Sequence, residues 1–138
     1  MKRIAIALAL ALNFAGCMMF MKPPAAPEAY ERTQTSAAQL YRASFTPAES
    51  IKVGKLHKWH IQILTADGTP VDSARVIIDG GMPQHGHGLP TKPRITAHLG
   101  DGRHVVEGMK FNMNGWWVVK LLVSGERGSD VVTFNLKL

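Results

Sequence analysis

His57-Lys58-Trp59-His60-Ile61-Gln62-Ile63 alternates with a period of two, placing His57, Trp59, Ile61 and Ile63 on one side and Lys58, His60 and Gln62 on the other. That is the pattern of a half-buried β-strand, and the chain after it repeats the theme. Asp67-Gly68-Thr69-Pro70 is a turn signal, and Ala74, Val76 and Ile78 then alternate with Arg75, Ile77 and Asp79. Ile95, Ala97 and Leu99 alternate with Thr96 and His98, and Gly100-Asp101-Gly102 leads as a hairpin turn into His104-Val105-Val106. Trp116 to Val123 is almost continuously apolar, which predicts a central strand covered on both faces. Gly125 to Ser129 turns the chain, and Val132, Phe134 and Leu136 close it as an alternating strand. Six or seven short strands with no amphipathic helix among them predict an all-β fold, an immunoglobulin-like antiparallel β-sandwich over residues 50–138. The single Cys, at position 17, rules out the disulfide of antibody domains.

Before the strands the composition changes twice. Residues 1–21 combine a basic start, Met1-Lys2-Arg3, with an apolar run from Ile4 to Phe14 that ends in Ala15-Gly16-Cys17. A small residue before Cys at the end of such a run is the pattern of a bacterial lipoprotein signal, with Cys17 as the lipidation site and a new N-terminus after cleavage. Phe14 departs from the usual Leu of that pattern. Ile4 to Met21 is also about 18 mostly apolar residues, near the lower bound for a spanning helix, so an uncleaved anchor competes with it, as does simple secretion. Each option puts the remainder outside the cytoplasm, in the cell envelope. Residues 22–49 read as a Pro/Ala-rich linker: Lys22-Pro23-Pro24-Ala25-Ala26-Pro27 suits an extended spacer, and Glu28 to Ala43 has weak helical character.

Charge excludes more than it assigns. Lys+Arg outnumber Asp+Glu by 16 to 10, but the charges are scattered and no aromatic residues interleave with the basic ones. The expectation is therefore no nucleic-acid partner. No second cysteine allows redox cycling, no Gly-x-Ser-x-Gly elbow accompanies the Ser, His and Asp, and no Gly-rich phosphate loop is present. The chain reads as a binding or assembly module rather than an enzyme.

One loop concentrates the candidate chemistry: Gly80-Gly81-Met82-Pro83-Gln84-His85-Gly86-His87-Gly88-Leu89-Pro90-Thr91. With Pro93, and with the later Gly108-x-x-Phe111-x-Met113-x-Gly115-x-Trp117, it resembles the YtkA-like domain of bacterial extracytoplasmic proteins and is similar to the FixH group of membrane-anchored, copper-linked proteins. The resemblance covers about Ser50 to Leu138. It implies an exported and commonly anchored β-sandwich with a metal role.

The residues themselves lead to the same metal. His85 and His87 are two apart, so in an extended segment both imidazoles point one way. Met82 adds a thioether, and Met113 can supply another. Imidazole suits copper and zinc while thioether selects Cu(I), so this carboxylate-free set points to copper. Asp79, just before the loop, is the carboxylate placed to orient an imidazole. The competing readings are a purely structural Gly/His/Pro loop, with the side chains bonding backbone carbonyls, and a site for another small ligand. His98 and His104 flank Asp101 symmetrically, so pairing across that turn brings them close. A second function class remains open: one of Trp116 and Trp117 must face away from the other in a strand, and an exposed Trp is an anchor for an envelope protein partner.

Overall fold

The computed structural model describes Lys22 and residues 24–138. The signal or anchor segment, with Cys17, lies outside the described residues. The strands, in chain order, are β1 (Thr33–Thr35), β2 (Tyr41–Pro47), β3 (Leu56–Thr65), β4 (Arg75–Met82), β5 (His87–Gly88), β6 (Arg94–Gly100), β7 (Arg103–Lys110), β8 (Trp116–Gly125) and β9 (Gly128–Lys137). All pairings are antiparallel, in two sheets ordered β1-β2-β3-β7-β6 and β5-β4-β8-β9. The run β2-β3-β7-β6 opposite β4-β8-β9 has the strand order of an immunoglobulin-type sandwich.

The alternation in β3 does what its spacing predicts: His57, Trp59, Ile61 and Ile63 are buried, and Lys58 and His60 are exposed. The second sheet meets them with Ile78 and Met82 of β4, Trp117, Val119, Leu121 and Val123 of β8, and Val132, Phe134 and Leu136 of β9. Aromatic rings join the two layers. Phe45 stacks on Trp59 at 4.5 Å and meets Phe134 edge-on at 5.0 Å, while Phe111 meets Trp117 at 5.2 Å.

Two expectations need correction. The sandwich begins well before residue 50, because β2 is fully part of it: Tyr41, Ala43 and Phe45 are core, and Tyr41 to Pro47 pairs with Trp59 to Thr65. The weak helical character assigned to residues 28–43 gives way to β1 and β2. Ala and Ser at alternate positions carry little hydropathy contrast, so the period of two is faint until β3 supplies a partner. Nor is β8 covered on both faces. Its outer side carries half-buried Trp116 and Val118 beside exposed Lys120 and Leu122. Residues 116–123 look almost continuously apolar because Val118 and Leu122 add apolar side chains on the outward face of the sheet.

Asp130 closes one edge between the sheets. Its carboxylate accepts the Ala38 and Leu40 amides, at 3.0 and 3.2 Å, from the turn between β1 and β2. The Ser36 hydroxyl, foremost, and these amides hold the carboxyl down at about 2.

Candidate functional site

The glycines of β4 decide how the histidine loop is carried. Gly80 and Gly81 bring the strand so close to its neighbours that a Cβ at Gly80 would stand 2.3 Å from the Val118 carbonyl oxygen, and one at Gly81 2.3 Å from that of His87. The Met82 carbonyl accepts the amides of both His85 and Gly86 at 3.0 Å, closing a tight turn. Gly86 completes it at φ 68°, a left-handed conformation that glycine adopts without penalty. The chain then returns as β5, with Met82 opposite His87 and the Leu89 amide on the Gly80 carbonyl at 2.9 Å.

This turn, rather than an extended segment, brings His85 and His87 together, with ring centroids 6.0 Å apart. His85 is exposed and His87 half-buried. The His87 ring also meets Trp117 edge-on at 5.5 Å. Its Nδ1 is 3.1 Å from the Gly88 carbonyl. A carbonyl only accepts, so Nδ1 carries the proton and Nε2 presents a lone pair that a metal can take. The Gly88 carbonyl thus orients His87, while the exposed Asp79 leaves β4 on the outer face and lines the same groove as His87.

Met82 comes in from the core side. Met82 is directly opposite His87 across the ladder, so their side chains leave the same face as neighbours. The Met82 side chain is 1% exposed, and its Cε would be 2.8 Å from a Cβ on Gly115. Met113 is half-buried against the core, and its carbonyl accepts the Trp117 indole N–H at 3.0 Å. His87 thus meets Trp117, Met82 reaches Gly115, and the Met113 backbone holds the Trp117 indole, so the three residues border one region from separate segments. Among the described residues no three His, Cys, Asp or Glu side chains converge, so an ion held here needs thioether or water ligands as well as imidazole. The donor set fits a soft ion.

Beside the loop, the outer face of the four-stranded sheet forms an open groove of about 560 Å³ lined by Pro24, Gly81, Pro83, His87, Trp116 and Val118. Trp116 donates its indole N–H to Asn135 Oδ1 at 2.8 Å, which spreads the ring along the groove floor. Trp59 and Trp117 are buried, so only Trp116 of the three indoles faces outward. His98 and His104 do meet across their hairpin, and burial lowers the pKa of His104.

Neither the curated proteins nor the solved structures contain a match to this chain. The YtkA-like family model, in contrast, matches residues 35–122, from β1 through most of β8 and including the whole histidine loop. That span is more than half of the sequence, and the chain belongs to the YtkA-like family.

Proposed function

We propose that this protein is an exported β-sandwich, tethered to the membrane by its N-terminal segment, that binds and passes on copper at the His85–His87 turn. The observation that carries the reading is the convergence of His87, with a free Nε2, on the same sheet face as Met82. With His85 exposed at the turn, and with Met82 and Met113 as the thioether candidates, the set would offer Cu(I) mixed imidazole and thioether ligands. Bound copper would supply a soft cation ready for transfer, and exposed His85 is the ligand that exchanges with solvent or with an acceptor. The role is carriage rather than catalysis. Lipidation at Cys17 would place the sandwich at the membrane surface on the extracytoplasmic side.

The test is Cu(I) and Cu(II) titration of the purified full chain against a chelating competitor. The His85→Ala/His87→Ala variant is expected to lose one equivalent of copper. Equal binding by variant and wild type would discard the reading. A second reading, docking onto an envelope protein, is favoured by the groove around Trp116. It predicts that Trp116→Ala breaks the association while leaving copper stoichiometry untouched.

A further inference from the structure

Downstream of the loop, the Gly100-Asp101-Gly102 turn sets His98 of β6 directly opposite His104 of β7. Their Nδ1 atoms are 2.8 Å apart, and their rings are nearly perpendicular at 87°. His104 is wholly buried, with Nε2 2.9 Å from the Val71 carbonyl oxygen. That oxygen only accepts, so the His104 proton is on Nε2 and its Nδ1 is a bare lone pair. Two ring nitrogens at this distance require an electrophile between them. In the metal-free chain it is the Nδ1 proton of His98.

One half of the pair is rigidly mounted and the other is not. The Val71 amide bonds the Ile63 carbonyl at 3.0 Å, and the Gly102 amide bonds Asp72 Oδ1 at 2.7 Å. Gly102 packs so tightly that a Cβ would stand 2.2 Å from the Ile63 oxygen. These contacts hold the buried ring in place. His98 is exposed and belongs to β6, the edge strand of its sheet.

We propose that His98 and His104 form a second metal site, a two-imidazole seat for a monovalent soft ion of the Cu(I) type. Linear coordination needs the two nitrogens about 4 Å apart, twice a metal–imidazole bond of about 2.0 Å. The rings must therefore part by roughly 1 Å, which the exposed His98 does by rotation while His104 stays fixed. The His98 proton moves from Nδ1 to Nε2, so both ligands remain neutral and no further base is required. Zinc, which takes four ligands, is poorly served: no third His, Cys, Asp or Glu joins the pair among the described residues.

This inference is independent of copper binding at His85 and His87, and the experiment separates them. The full chain is titrated with Cu(I) against a chelating competitor as wild type, His85→Ala/His87→Ala, His98→Gln and His98→Met. Gln keeps an N–H donor toward His104 but removes the ligand nitrogen, whereas Met removes the donor and keeps a Cu(I) ligand. Loss of one equivalent in His98→Gln with retention in His98→Met supports the site. In ¹⁵N spectra of the His85→Ala/His87→Ala chain, Cu(I) should shift Nδ1 of both His98 and His104. An unchanged count in the Gln variant, a loss in the Met variant, or unmoved Nδ1 resonances would overturn it.

Discussion

Replacing Gly81 by Ala tests whether the close approach of β4 and β5 carries the loop. The new Cβ would stand 2.3 Å from the His87 carbonyl oxygen and 2.9 Å from Gly88 Cα, both backbone atoms that cannot turn aside. The cheapest relief is for the two-residue β5 to leave the sheet edge. That sacrifices the hydrogen bonding of the Gly81/Gly88 and Met82/His87 pairs and the Leu89–Gly80 bond. Two or three such bonds at about 1 kcal/mol each amount to roughly 2–3 kcal/mol. Restricting the unfolded chain returns roughly 0.5–1 kcal/mol, leaving a net loss of about 1–2 kcal/mol. For a domain of this size the melting temperature should fall by roughly 4–8 °C. Across the same ladder Gly88 is the control, because a Cβ there meets nothing nearer than the Gly80 oxygen at 3.4 Å. Gly88→Ala should therefore melt within a degree or two of wild type, by the same scaling. Thermal unfolding by circular dichroism gives the stabilities, and hydrogen exchange at the Leu89 amide reports whether β5 has detached. Equal melting of the two variants, or unchanged Leu89 protection in Gly81→Ala, would refute the reasoning.

Met82 separates packing from ligation. Met82→Leu preserves volume and should cost under about 1.5 kcal/mol in urea unfolding, while Cu(I) affinity falls because the thioether is lost; unchanged affinity would mean that Met82 is core alone. Met82→Ala, which opens a cavity beside Gly115, should cost about 2–5 kcal/mol whatever its role. Asp130 should set part of the acid limit. Its folded pKa of about 2 is below the ordinary value of 3.8, so its contribution is complete above that value and disappears as pH falls from about 4 toward 2. Asp130→Asn should accordingly lower the urea midpoint at about pH 7 and match wild type near pH 2; a difference independent of pH would contradict this.

Several features were legible in the residues alone. The alternation of His57 to Ile63 and of Val132 to Leu136 required strands, because only a period of two puts Trp59, Ile61, Phe134 and Leu136 on one side. The symmetry of His98 and His104 about Asp101 was enough to bring them together, since a hairpin turn sets local register. The histidine loop announced itself by composition. The first two strands did not. Tyr41, Ala43 and Phe45 acquire their meaning only when β3 pairs with them and Trp59 stacks on Phe45. Nor could spacing say which tryptophan turns outward, or that the Gly88 carbonyl would bond His87. The meeting of His87 with Trp117, and of Met82 with Gly115, is likewise tertiary. Local sequence sets which way a side chain leaves its own strand, but which segments face each other across a sandwich is decided by sheet pairing and packing over the whole chain.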